Sequence, residues 1–316
     1  MTPDFPRIPW LGYRDPYEEL PALTLGTGGF GTRVTADEAH RLVAAALDRG
    51  IRSFETAPYY GDGVAIHELG RALRNRWHEA AVAVHVRSAH TTGGLGLTHR
   101  VESALSQLGA DTLDLLYLEA PNSHPLEVLH GIGRLIREGK VRHWGVSRAV
   151  GWDLLQLEKE RAGTEVPPPI AEQRHFSMLI QRAAYGLHFP PLARRLHSAV
   201  CHVLEGGLLG GRNMDALISS WGGHGSHAYP ELLRCRRVLL EAFARVAREE
   251  GLTLAEFALV WVANTPDVDS IVLSPSTLEQ LASAATVCFR PLHDDAYAKV
   301  EEICRAYFGP TEDHRP

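Results

Sequence analysis

From residue 22 onward the chain alternates short β-branched or aliphatic runs with longer stretches whose apolar residues recur every three or four positions. Such switching between period two and period 3.6 marks repeated strand–helix units that feed a parallel sheet. The candidate strands are Ala22–Leu25, Ser53–Thr56, Ala81–Arg87, Thr112–Glu119, Arg142–Ser147, Ile170–Gln173, Ala199–Leu204 and Asp269–Ser274. Helical patterns occupy Thr35–Asp48, Thr98–Leu108, Pro125–Glu138, Glu231–Glu250 and Leu278–Val287. In the first of these Thr35 caps, Asp37 and Glu38 suit the positive end, and Gly50 stops the helix. Its inner stripe is Ala39, Leu42, Val43, Ala46 and Leu47. Eight strands with intervening helices predict a closed (β/α)8 TIM barrel rather than an open doubly wound sheet.

The segments outside this pattern are few. Residues 1–20 read as an N-terminal extension, Gly163–Pro169 links a helix to the sixth strand, and 293–316 read as a C-terminal helix and tail. Gly206–Pro230, polar and rich in glycine, is a candidate lid. The expectation is one barrel domain over residues 1–316.

Composition narrows the function. An apolar fraction of 45% fills a continuous core, and a net charge of −6 offers no broad basic field for nucleic acid. Cys201, Cys235, Cys288 and Cys304 are far apart, with no Cys-x-x-Cys pair, which suits a reducing compartment and argues against a zinc ribbon or disulfide framework. Met1–Tyr13 carries Asp4, Arg7 and three prolines where a signal peptide needs an apolar run. No stretch reaches the ~18 apolar residues of a membrane span. These features predict a cytoplasmic protein with a small-molecule substrate and no membrane or nucleic-acid partner; no oligomer interface is legible.

In a barrel, chemistry gathers at the carboxyl ends of the strands. Ser53 and Glu55 share one face opposite Phe54, His85 and Arg87 share a face opposite Val84 and Val86, and Tyr117 and Glu119 share another. With those faces in the lumen, two carboxylates and a guanidinium converge at the barrel mouth. The desolvation cost of gathering them there argues for function. His85, lower on its strand, reads as a hydrogen-bonded core group, and His224 and His227 as surface residues; no metal site is expected. Phe176 and Met178 either line a substrate pocket or pack.

Phe54-Glu55-Thr56-Ala57-Pro58-Tyr59-Tyr60-Gly61, followed by His67-Glu68-Leu69-Gly70-Arg71-Ala72-Leu73, resembles a stretch of the aldo-keto reductases. That stretch reads Phe-Asp-Thr-Ala, two residues, Tyr-Gly, then Glu-x-x-Gly-x-Ala-Leu. Further matches follow in order across nearly the whole chain, among them Leu113-Asp114-Leu115-Leu116-Tyr117-Leu118, Gly145-Val146-Ser147, Gln173 and Gly207-Leu208-Leu209-Gly210-Gly211. The resemblance implies reduction by a nicotinamide cofactor, with an Asp, a Tyr, a Lys and a His around a carbonyl and the Tyr as proton donor. Tyr60 matches the Tyr, whereas Glu55, Arg87 and Glu119 stand where Asp, Lys and His are expected.

Each replacement carries an expectation. Arg87 supplies the positive field that lowers the phenol's pKa, pairing with Glu55 bidentately, but shuttles no proton. Glu119, buried and protonated, donates to a substrate oxygen. A Glu there also occurs in relatives that reduce steroid carbon–carbon double bonds. On the cofactor side, Ser147 and Gln173 match residues that hold the nicotinamide carboxamide, and Arg148 replaces the usual Asn. The ring-stacking position falls near Cys201, with Leu204 following. Ser274, Ser276, Thr277 and Gln280 lie where the family grips the nucleotide, without its usual Lys or Arg for a 2′-phosphate; the helix start at Ser276–Thr277 offers backbone N–H groups instead.

The implied cofactor is NADP(H) or NAD(H), without metal, and the implied reaction is reduction of a carbonyl or conjugated enone of a small metabolite. Two alternatives use the same pocket: a cofactor-independent lyase, dehydratase, isomerase or cyclase employing Tyr60, Glu119 and Glu55, and a redox-silent binding subunit.

Overall fold

Thr35 opens the first helix through a reciprocal capping box, its side chain accepting from the Glu38 N–H while the Glu38 carboxylate accepts from the Thr35 N–H. The chain leaves that helix through Gly50 in the left-handed region, φ 82°. The structure, a computed structural model, describes residues 22–87, 93–119, 125–149, 151–181, 196–211, 228–266, 268–288 and 290–308.

The first half runs β1 (Ala22–Gly26), α1 (Ala36–Asp48), β2 (Ser53–Thr56), α2 (Val64–Leu73), β3 (Ala81–Arg87), α3 (Gly93–Leu108), β4 (Leu113–Glu119) and α4 (Pro125–Arg137). The second runs β5 (Val141–Ser147), α5 (Gly151–Arg161), β6 (Ala171–His175), β7 (His197–Cys201), α6 (Ala228–Glu249), α7 (Leu254–Ala263), β8 (Ser270–Leu273), α8 (Leu278–Val287) and α9 (Asp294–Phe308). All strand pairs are parallel, and β1 closes on β8. The expected (β/α)8 barrel is therefore the observed fold. The extension, the tail beyond 308 and most of the candidate lid, 212–227, lie outside the described residues, as do His224 and His227. No described helix is long and apolar enough to cross a membrane.

Strand alternation divides the core into two clusters. Phe54, Val82, Val84, Val86, Leu116, Leu118, Trp144 and Val146 pack outward against the helices, while Ala83, Leu115, Tyr117, Ile170 and Ala171 form a separate cluster inside the barrel. Gly145 belongs to this inner layer; a Cβ there would lie 2.5 Å from the Ala171 carbonyl oxygen and 3.1 Å from the Tyr117 ring. Phe176 and Met178 are buried, with Phe176 stacked on Trp261 at 5.6 Å, so these two pack rather than line a pocket.

Parallel register then sets the height of each functional side chain. Arg87 pairs with Glu119, Glu119 with Ser147, and Ser147 with Gln173, a single row across four strand ends. Glu55 is level with Ala83, lower on the wall.

Candidate active site

A cavity of about 540 Å³ opens at the carboxyl ends of the strands, within the range of small-molecule sites. Its wall includes Glu55, Tyr60, Arg87, Glu119, Ser147, Arg148, Gln173, Leu204, Ser274, Ser276 and Gln280. Thr277 is absent from the wall and instead caps α8, accepting from the Gln280 N–H. The Gln280 side chain in turn accepts from the Ser276 N–H at 2.7 Å. That N–H, expected to be free for a phosphate, already has a partner.

Tyr60 is delivered by a tight turn after β2 in which Gly61, Asp62 and Gly63 all have positive φ. Glycine is required at 61, because a Cβ there would sit 2.6 Å from the Phe30 carbonyl oxygen. The Tyr60 hydroxyl donates to Glu55 Oε1 at 2.9 Å. Burial, then the Glu55 carboxyl beside it, pushes the phenol well above its ordinary 10. Glu55 is only 3% exposed, and burial, partly offset by the Tyr60 hydrogen bond, raises its carboxyl to about 7.

The cation expected beside this pair is elsewhere. Arg87 lies over the Tyr59 ring, its guanidinium carbon 3.9 Å from the centroid, and its Nε is 3.3 Å from Glu119 Oε2. It forms no bidentate pair with Glu55. The register is the reason: the side chain facing Glu55 is that of His85, whose Nε2 lies 3.2 Å from Glu55 Oε1 at angles that make no hydrogen bond. His85 stacks on Tyr117 at 4.7 Å, lines the cavity, and is held neutral, its pKa pushed down to about 3 by burial and then by Arg148. It is a cavity group, then, and not the hydrogen-bonded core residue expected.

Glu119 lies on the cavity wall between two arginines. Its Oε1 accepts from Arg148 at 3.3 Å and its Oε2 lies 3.3 Å from Arg87 Nε, so two guanidinium groups flank it. Arg148, expected among the cofactor residues, directs its guanidinium to Glu119, with its backbone at φ 53°. Cys201 does lie on the cavity wall where a ring-stacking residue was sought. Gln173 presents a buried Nε2 with no hydrogen-bond partner among the described residues.

Sequence reasoning overlooked Tyr59, Arg33 and His202, all on the wall. The Tyr59 signal was present, since it lies inside the motif that contains Tyr60. The wall from His202 to Gly207 is a strained segment, with φ of 59° at His202 and 47° at Glu205. His175 Nε2 and Ser177 Oγ, each 2.6 Å from Glu205 Oε1, brace it.

A closed parallel barrel thus carries, at its mouth, a cavity in which a tyrosine hydroxyl donates to a buried carboxyl. The model of the Aldo/keto reductase family matches residues 22–305, and the chain belongs to that family. It is 28% identical over 282 residues to the uncharacterized oxidoreductase YrpG of Bacillus subtilis (strain 168), covering 82% of this chain and 84% of that protein. Among solved structures it resembles an aldo-keto reductase from Klebsiella pneumoniae in complex with NADPH, with 22% identity, TM-score 0.65 and 94% of each chain covered. It also resembles the glycerol dehydrogenase AKR11B4 from Gluconobacter oxydans, with 22% identity, TM-score 0.70 and 93% and 94% of the two chains covered. At that identity the likeness to the solved structures concerns the fold.

Proposed function

We propose that the protein reduces a carbonyl or conjugated enone of a small organic metabolite with NADP(H) or NAD(H), Tyr60 being the proton donor. The observation that carries this reading is the Tyr60 hydroxyl on the cavity wall, hydrogen-bonded to a buried carboxyl that titrates near neutrality. With Glu55 protonated, its hydroxyl turns to the Tyr60 oxygen and releases the Tyr60 proton toward the substrate oxygen. One proton leaves Tyr60, one arrives from Glu55, and solvent restores Glu55.

The residues present fit a nicotinamide cofactor. The unpartnered Gln173 Nε2 is a donor suited to the carboxamide oxygen, with Ser147 beside it in register. Ser274, Ser276, Gln280 and Leu204 would line the remainder of the nucleotide's path. When bound, the dihydronicotinamide supplies hydride to the substrate carbon. The Klebsiella relative carries NADPH, which makes NADPH the first cofactor to test, with NADH as comparison because Ser274, Ser276 and Gln280 bring no cation for a 2′-phosphate.

Glu119 takes a different part from the protonated donor expected of it: it holds Arg87 and Arg148 in place. This arrangement weakens the acid–base lyase alternative, which needs Glu119 to exchange protons with the substrate.

The test is a titration of nicotinamide fluorescence followed by turnover of small aldehydes and enones. Tyr60→Phe is expected to lower kcat by about 10² or more while nucleotide binding persists. Absence of binding of either nucleotide at millimolar concentration refutes the reading.

A further inference from the structure

Arg87, Glu119 and Arg148 form a cluster at the barrel mouth with one more positive than negative charge. Glu119 neutralises only one guanidinium, and it does so by single, long contacts of 3.3 Å to each arginine. Charge-assisted N–H···O bonds ordinarily run about 2.7–2.9 Å and arginine presents five donors, so among the described residues most of the donor capacity of both side chains is unspent. Both arginines line the cavity with side chains 45% and 58% exposed. Arg87 is also fixed in orientation by the Tyr59 ring beneath it. Without Glu119 the two cations would repel and splay; with it they stand side by side as a pre-formed fork.

We infer that this fork binds a carboxylate on the substrate, so that the compound reduced is a compact aldehyde, ketone or enone bearing a carboxylate. The inference rests on the reductase reading given above. A single net positive charge matches a monoanion better than a phosphate dianion. The spacing follows from the stacking order: Tyr59 packs edge-on against Tyr60 at 5.1 Å between centroids and carries Arg87 on its face, so one aromatic ring separates the fork from the proton donor. The substrate's carboxylate and its reducible group are accordingly separated by only a few bonds. Arg148, replacing a residue that would otherwise face the cofactor, is turned to this task by its ion pair with Glu119.

The experiment compares 3-carboxybenzaldehyde with its methyl ester, which share size and carbonyl but differ in charge. The acid is expected to show a kcat/KM at least tenfold above the ester, and the ratio should shrink as salt is added. Arg87→Met and Arg148→Met should each cut the ratio at least fivefold; because it is a ratio, a general loss of active protein cancels. Glu119→Gln should lower the ratio, because the two arginines splay, whereas loss of a proton-donating Glu119 would lower both substrates together and leave the ratio unchanged.

An acid-to-ester ratio near or below one, or a high ratio indifferent to both arginine substitutions, overturns the inference. The same ratio is read from equilibrium binding by ligand-observed NMR, where turnover is not required. Preferential binding of the acid without nucleotide binding would refute the reductase reading and leave the fork standing. Equal binding of acid and ester would remove the fork alone.

Discussion

Replacing Glu55 by Gln isolates the cost of burying a carboxyl beneath Tyr60. The group titrates near 7 instead of its ordinary 4.5. At 1.36 kcal/mol per pH unit, this corresponds to about 3 kcal/mol of stability withheld from the wild type at alkaline pH. Between pH 4.5 and 7 the unfolded chain has released this proton and the folded chain has not, so Glu55's contribution falls as pH rises and levels off above 7. His85 runs the other way: its folded pKa is near 3 against 6.5 unfolded, so its contribution is lost as pH falls from 6.5 to 3. The two slopes oppose each other between 4.5 and 6.5, which hides both in the wild type. Gln keeps an oxygen to accept from Tyr60, so Glu55→Gln removes one slope and leaves the other. Urea unfolding of both proteins at several pH values should therefore show the variant gaining about 3 kcal/mol on the wild type between pH 4.5 and 7.5, roughly 6 °C in melting temperature. A stability difference that stays constant across that range would mean that Glu55 is not a buried, neutral carboxyl.

Two further outcomes follow from the same geometry. The kcat/KM for reduction should fall above about pH 7, as Glu55 ionises and holds the Tyr60 proton, and not near 10 where a free phenol titrates; a profile flat to pH 9 would exclude the Glu55 relay. Gly61→Ala places a Cβ against the Phe30 carbonyl at positive φ and should cost about 2 kcal/mol in unfolding experiments, with a further loss of kcat because Tyr60 is displaced.

The barrel was legible because strict period two is hard to mistake. Ser53–Thr56 and Ala81–Arg87 agree with the observed strands residue for residue. Strand seven was placed two residues late, as Ala199–Leu204 instead of His197–Cys201, because it begins with polar residues. His197 and Ser198 are buried there beside Ser270 Oγ, 3.1 Å from the His197 ring, and the Asp269 carboxylate, which accepts from the Ser198 N–H, partners 73 and 71 residues away in sequence. Helix α7 escaped the periodic reading for the opposite reason: Phe257–Ala263 is buried on every side, so it has no polar stripe to contrast with. At the site, strand alternation places Glu55, His85, Arg87 and Glu119 on the cavity wall. What it does not encode is stagger. Glu55 pairs with Ala83, which brings His85 rather than Arg87 to it, and that register belongs to the closed barrel as a whole.

This stagger has a chemical consequence that His85→Lys would expose. With Arg87 drawn away to Tyr59 and Glu119, no cation among the described residues stands beside Tyr60, so the phenol stays protonated at every working pH and control of the proton passes to Glu55. A lysine at 85 would return a positive charge to within reach of Glu55 Oε1, where His85 Nε2 now lies at 3.2 Å. An opposite charge that close favours the ionised carboxyl, and Glu55 would titrate below the neutral range. The decline in kcat/KM near pH 7 should then disappear from His85→Lys, and the limb that replaces it should lie at higher pH, where the cation-assisted phenol titrates. If the limb near 7 survives the substitution, Glu55 is not its source, and the proton reaches Tyr60 by another route.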